Sequence, residues 1–358
     1  MRPERGTTST GPTGTRAVGR PRRCLGRRLR LGTAAILVGL LAAAASACAG
    51  GGDALTIYSG RGRSLVGPLL DRFAQEAGIP IEVRYGNSAE LALLISEEGE
   101  RTPADVFYAQ NPGAVGFLAE RDLLQPLSDT ILGTVDARFR SDRGHWVGVT
   151  GRQRVLVYNT EQVDEAQLPR SVFDLSEERY RGRVGVAPTN GSFQDFVSAM
   201  QQVYGEERTL QWLTELADND PRTYGNNNAI VEAVTRGEVA MGLVNHYYNQ
   251  RWLDEDPTLP SRNHVFPDGD IGALLIASTV SVLSDDPRAQ RFVEFLVSEE
   301  AQRYFAEETF EYPLARGVEP AADLPPLDSL TLPKVDIEEL GDELRSTIDL
   351  IERSGLRR

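Results

Sequence analysis

The chain has 358 residues and carries 52 acidic against 38 basic side chains, a formal net charge of −14. That balance argues against a nucleic acid partner and leaves cations, or anions held in local positive pockets, as ligands. With two cysteines and three histidines in the whole chain, neither a disulfide scaffold nor a Cys/His zinc site fits.

The first fifty residues concern location. Arginines at 20, 22, 23, 27, 28 and 30 precede an uncharged run from Leu31 to Ala45 that ends in small residues. This is the basic, apolar, small-residue order of an export signal, and its apolar part is too short for a comfortable permanent span. The run closes on Ala45-Ser46-Ala47-Cys48, which looks like a bacterial lipobox. The expectation is a lipoprotein signal over 1–47, a diacylglyceryl-modified Cys48 and a linker over 48–54. A plain secretory signal cleaved near Ala47 is the alternative, and Arg27-Arg28 invites a twin-arginine route although its flanks match poorly. Cys24 falls in the discarded part, so the mature chain has no disulfide available.

Leu55–Ser59 reads as a strand, Gly60 to Arg63 as a loop, and Ser64 as the cap of a helix whose apolar residues Leu65, Leu69, Leu70, Phe73 and Ala77 recur at helical spacing. Gly78 ends that helix. Strands at Ile79–Val83 and Asp105–Ala109 flank a helix over 88–98, and Pro112 opens another through Leu118. The alternation predicts an α/β lobe with a mostly parallel sheet. It returns with strands at Gln153–Tyr158, Arg183–Ala187 and Val239–Val244 and helices at Phe193–Tyr204 and Ala229–Thr235. Apolar runs follow at Ile271–Ile276 and Ser278–Ser284, then a helix from Pro287 carrying Phe292, Phe295 and Leu296. A tail with Ile337, Leu340, Leu344, Ile348 and Ile351 on one stripe predicts a helix packed on a lobe. The stretches 145–155 and 262–275 are candidate crossovers. The expected fold class is therefore α/β, with two lobes and a ligand cleft between them. The N-terminal lobe takes 55–150 plus about 270–305, and the C-terminal lobe 151–269 plus about 306–358.

Tyr247 and Tyr248 stand side by side directly after the strand ending at Val244. A phenolate is a hard anionic donor suited to Fe(III). Neighbouring side chains reach one cleft only where a strand gives way to a helix, and Asn245 is the plausible cap there. The positive helix end would favour ionised phenols. Two ordinary half-buried tyrosines are the plainer alternative. Four polar turns that open helices could present N–H groups to an anion: Ser59-Gly60-Arg61-Gly62, Pro188 to Ser192, Asn226-Asn227-Asn228, and Asn245 to Tyr248. His246 should point away from its tyrosine neighbours and pack, and Asp105 reads as a structural turn partner. His145 and His264 have no companion at metal spacing. No nucleophile and base pairing, Walker loop, dinucleotide fingerprint or zinc motif is present, so the chain reads as a non-catalytic binder.

From Leu55 to about Gly355 the sequence resembles the ferric-iron-binding periplasmic proteins of ABC transporters, within the extracellular solute-binding family. The resemblance rests on Tyr58-Ser-Gly-Arg61, Pro103 to Gln110, Pro188-Thr-Asn-Gly-Ser192, Tyr224-Gly-Asn-Asn-Asn228, Asn245-His-Tyr-Tyr248 and Phe310-Glu-Tyr-Pro313. It implies a type II-like periplasmic-binding-protein fold, with Tyr247 and Tyr248 binding Fe(III). It also implies a synergistic phosphate or carbonate on Asn190, Gly191, Ser192, Asn227 and Asn245. Gly62 and Gln110 stand where some members have a metal-binding histidine and glutamate, and Asn111 where relatives often have a glutamine. Other members use a first-loop arginine to steady the anion, a role that Arg61 fits. Ser59, Gly60, Gln110 and Asn111 become possible cleft residues. The implied partners are an ABC permease and its ATPase subunits, reached by a monomer on the outer face of the cell membrane. Related binders carry phosphonates, sulfate, thiamine or polyamines, and a drift to such a solute is the alternative.

Overall fold

The computed structural model describes residues 54–321, 324–336, 340 and 344–357. The export signal, Cys48 and Ile337 lie outside the described residues. In chain order the elements are β1 (Leu55–Ser59), α1 (Arg63–Ala77), β2 (Ile81–Tyr85), α2 (Ser88–Glu98), β3 (Val106–Ala109), α3 (Gly113–Ala119), α4 (Asp129–Gly133) and β4 (Trp146–Asn159). Next come β5 (Val184–Val186), α5 (Gly191–Asp218), β6 (Arg222–Thr223), α6 (Asn227–Thr235), β7 (Met241–Asn245), α7 (His246–Glu255) and β8 (Ser261–His264). The last are β9 (Leu275–Val282), α8 (Pro287–Leu296), α9 (Glu299–Tyr304), β10 (Tyr312–Pro313) and α10 (Leu344–Arg353).

The strands join in the order β2-β1-β3-β9-β4-β7-β5-β6, with β8 and β10 also pairing with β4. The expectation of a mostly parallel sheet is corrected here. β1 runs parallel to β2 and β3, and β5 to β6 and β7, but every pairing of β4 and β9 is antiparallel. β4 is the reason. Its first part, Trp146 to Gln153, pairs with β9, and its second, Arg154 to Asn159, pairs with β7 and β8. One long strand therefore serves both halves of the sheet, and the expected crossover over 145–155 falls on it.

Each half has its own core. Leu55, Ile57, Leu69, Phe73 and Phe292 belong to the first, where Phe73 meets Phe292 edge to face at 5.0 Å and 78°. Leu156, Val186, Phe196, Trp212 and Leu243 belong to the second. Beyond residue 305 the described chain contributes to both cores. Tyr312 and Leu314 are buried in the first core, and Leu324, Leu327, Leu330 and Leu332 pack against it. Among the described residues, Leu340, Leu350, Ile351 and Leu356 are buried in the second, and Val335 packs against it. The tail helix α10 lies on α5, where the Ser198 and Thr347 hydroxyls meet at 2.7 Å and Gln201 Nε2 donates to Ser346 Oγ at 2.8 Å.

Two local readings change. Gly62 holds the N-cap position of α1 in an extended conformation, with no side-chain cap, so Ser64 is already inside the helix. The helix expected over Phe193–Tyr204 continues to Asp218 across a break at Gly205, whose φ of 81° and ψ of 164° suit glycine. Asp105 does act as a turn partner: its carboxylate accepts from Thr56 N–H at 2.9 Å and from Ser284 Oγ at 2.7 Å.

Candidate functional site

Strand β7 ends at Asn245 and α7 begins on the next residue, the junction at which two adjacent side chains can share a cavity. The rings of Tyr247 and Tyr248 stack with centroids 4.3 Å apart and planes 28° apart. Tyr247 is buried and Tyr248 half-buried, and both line a cavity of about 420 Å³. Asn245 has the extended backbone of an N-cap but makes no side-chain cap. Its Oδ1 accepts instead from Arg154 Nη1 at 3.1 Å. The expected ionisation of the phenols is reversed for Tyr247. Burial pushes its pKa well above the usual 10, with the neighbouring Tyr248 and Glu311 adding to the rise and Arg152 opposing it. Tyr247 is therefore a neutral phenol at neutral pH, and a metal ion binding to it would have to displace that proton.

His246 packs, as its position beside the tyrosines requires. Nδ1 accepts from Gln153 N–H at 3.1 Å, which leaves Nε2–H to donate to the Phe310 carbonyl at 2.8 Å. Burial lowers its pKa to about 4.

The residues expected to hold an anion converge next to the tyrosines. Asn190 caps α5, its Oδ1 accepting from Ser192 N–H at 3.1 Å and Ser192 Oγ–H at 2.7 Å. Asn227 Nδ2 donates to Asn190 Oδ1 at 3.0 Å and to Ser192 Oγ at 3.1 Å. Asn190, Gly191, Ser192 and Asn245 line the cavity, while Asn227 is buried. At the centre is Arg154, which was not singled out from the sequence. Its Nη1 reaches Ser192 Oγ and Asn227 Oδ1 at 3.3 Å each, as well as Asn245. Its Nε and Nη2 are buried without a partner. Burial pushes this guanidinium down to about 9, against the pull of Asp195, Tyr248 and Tyr247, so it remains a cation at neutral pH.

The opposite wall comes from the ends of β1 and β3. A Cβ at Gly60 would lie 1.9 Å from Ser88 Oγ and 3.2 Å from Gln110 N, so this turn requires glycine. Gln110 N–H donates to Ser88 Oγ at 2.9 Å, and its carbonyl accepts from Arg152 Nη2. Asn111 Nδ2 donates to Asp195 Oδ1 at 3.1 Å and so bridges to α5. Asp195, also unforeseen, is the only charged residue lining the cavity among the described residues. Burial raises its pKa, opposed by Arg152, Asn111 and Arg154.

Two expected cleft residues turn away. Ser59 is fully buried, its hydroxyl donating to the Arg61 carbonyl at 3.1 Å. Arg61, expected on the anion, is buried and paired through Nη2 with Glu311 Oε2 at 2.5 Å. Burial lowers this guanidinium's pKa, but Glu311, Tyr108 and Tyr247 together outweigh it and raise it. The signal for Arg152 and Arg154 lay in the strand's two-residue period: two arginines two positions apart share a face of a largely apolar strand. Among the described residues no group of three or more His, Cys, Asp or Glu could hold a metal ion, so a metal here depends on the phenol oxygens.

Residues 101–338 match the model of the bacterial extracellular solute-binding proteins, and the chain belongs to that family. Such proteins bind a solute without transforming it. Among its relatives is the Fe(3+)-binding periplasmic protein of Serratia marcescens, 31% identical over 335 residues and covering 91% of this chain and 98% of that protein. The α/β fold resembles that of iron-bound HitA from Pseudomonas aeruginosa, with 37% identity, a TM-score of 0.78, and 85% of this chain and 100% of that one aligned. FutA (IdiA) of Trichodesmium, solved with iron and citrate, gives 28% identity and a TM-score of 0.74 over 85% of this chain and 99% of that one.

Proposed function

We propose that the chain is the ferric-iron-binding, extracytoplasmic component of an ABC-type import system. The observation that carries this reading is the stacked Tyr247 and Tyr248 pair, set at a helix start beside an arginine-backed group of anion donors. Two phenolates leave Fe(III) one positive charge and open positions, and an oxyanion supplies both remaining needs. Phosphate or carbonate sits on the N-terminus of α5, held by Asn190, Gly191, Ser192 and Asn245, with Asn227 and Arg154 behind them. Arg154 takes the part that the sequence suggested for Arg61.

The halves that share β4 act as two lobes around the cavity, one of 55–150 with about 270–332, the other of 151–269 with 340–357. Gly60, Gln110 and Asn111 face the tyrosines from the first lobe, and closure brings Asn111 onto Asp195. Cys48 carries the lipid that holds a monomer at the outer face of the membrane, where a permease with separate ATPase subunits takes the cargo.

An Fe(III) titration in phosphate, in carbonate and in neither tests the reading. The loaded protein should show a phenolate-to-iron charge-transfer band, and Tyr247→Phe or Tyr248→Phe should weaken or abolish it while the fold survives. If no band forms with any anion, the iron reading fails. The organic-anion alternative is supported by the unpartnered donors of Arg154, and tight binding of a phosphonate without metal would bring it forward.

A further inference from the structure

The cavity is larger than an iron ion and an inorganic oxyanion require. A four- or five-atom oxyanion with its metal takes the room of a few waters, at roughly 30 Å³ each. The observed volume is about 420 Å³, within the range of roughly 300–1,000 Å³ typical of sites for organic ligands.

Part of the described lining is apolar: Ala89, Ala92, Leu93, Ala114, Phe117 and Leu340, beside the uncharged polar Asn87, Ser88 and Gln194. Helices α2 and α3 supply the first five. On α2, Leu91, Ala92 and Ile95 are buried, and Leu93 projects from another side with 53% of its surface exposed. A single exposed leucine needs no explanation. This one shares a concave wall with a phenylalanine and three alanines, whose small side chains leave the floor open. The wall opens directly onto the polar end, where the metal and its anion belong. Among the described residues, Asp195 is the charged group lining the cavity, and it is an acid, which disfavours polyanionic bodies there.

We infer that this apolar annex seats the carbon body of an organic chelator, so that the cargo is a ferric complex of a bidentate oxygen chelator bearing an uncharged apolar substituent. The inference rests on the iron reading above. The chelator's oxygens occupy the positions otherwise filled by the inorganic anion, and its substituent lies along Leu93 and Phe117. The chelator gives up its proton when it takes the metal. On docking of the complex each phenol loses one proton to solvent, and phenolate-to-iron bonds replace iron's bonds to water.

Equilibrium dialysis of the full-length protein with Fe(III) phosphate, Fe(III) acetohydroxamate and Fe(III) benzohydroxamate, assayed for retained iron, tests it. The two hydroxamates chelate alike and differ only in the apolar body. The benzohydroxamate complex should bind roughly tenfold or more tightly than the acetohydroxamate complex. Leu93→Ser and the space-filling Ala89→Trp, both at exposed positions, should each remove most of that preference while Fe(III) phosphate retention stays within about twofold. Equal affinity for the two hydroxamates, or a preference that survives both substitutions, overturns the annex while Fe(III) phosphate binding leaves the iron reading standing. Failure to retain iron with phosphate and with both hydroxamates overturns both.

Discussion

Two fully buried arginines occupy neighbouring parts of this molecule and meet opposite surroundings. Arg61 faces a carboxylate, Glu311, which also accepts from the hydroxyls of Thr150 and Thr309 at 3.3 Å each. Arg154 faces three neutral oxygens and keeps two donor nitrogens unused. The first cation is neutralised within the fold by that carboxylate, although its Nε is also buried without a hydrogen-bond partner. The second retains its field, two residues along β4 from another buried arginine and beside a protonated tyrosine. A charge matched inside the protein is structure, and a charge left unmatched in a cavity is a request for a ligand of the other sign.

The largest expected effect lies on the matched side. Glu311→Gln keeps the shape but leaves Arg61 buried without a counter-charge, which should cost about 3–5 kcal/mol in urea unfolding. The charge-transfer band of the protein that remains folded should be unchanged. An unaltered unfolding midpoint would show that Arg61 does not depend on its partner.

On the unmatched side, Arg154→Met keeps most of the apolar stem and removes the charge. Stability should change little, because Ser192 Oγ and Asn227 Oδ1 keep donors from Asn227 Nδ2 and Asn245 N–H. The gain in iron retention that phosphate provides should fall by about 1.5–3 kcal/mol, the worth of a hydrogen bond to a charged group. An anion dependence equal to that of the wild type would remove Arg154 from the site.

Protons sharpen the same contrast. Burial raises the Tyr247 pKa, so the neutral phenol is favoured in the fold. The empty protein should be at full strength with respect to this group below about pH 10 and lose stability as pH rises past it. Iron binding runs the other way. Each phenol that becomes a ligand releases a proton, so apparent affinity should drop about tenfold per pH unit per phenol on acidification. Iron retention followed against pH, with proton release measured in weak buffer, checks the sign and the count.

The smallest effect concerns the link across the cavity. Asn111→Ala removes the bond to Asp195, a net loss of about 1 kcal/mol. It should hasten iron transfer to a competing chelator several-fold and leave thermal stability nearly intact.

Much of the fold was legible because its pieces are local. The strand at Leu55–Ser59 and the helix ending at Gly78 coincide with their sequence patterns, since alternation and helical spacing need only neighbours. The antiparallel role of β4 and β9 was not legible, because strand direction depends on partners far away along the chain. The tyrosine pair and the Asn190, Ser192, Asn227 and Asn245 group could be placed together because each sits in a turn of recognisable form. Arg61 was misplaced for the opposite reason. A loop arginine between glycines looks solvated, and its partner at 311 is 250 positions along the chain. Asp195 was hidden inside a helix whose other residues pack, so nothing in its neighbours marked it.

His246 has a mechanical consequence for how the cavity opens. Its ring is tied to the Gln153 amide on β4 and to the Phe310 carbonyl, and its own carbonyl accepts from Asn263 Nδ2 at 3.0 Å. Three separate segments thus hold the first turn of α7, the turn that carries both tyrosines. If the proposed lobes close as a vice does, the phenol pair would be the fixed jaw and the wall of α2 and α3 the travelling one. Release of the proposed cargo would then require a pull on that apolar face.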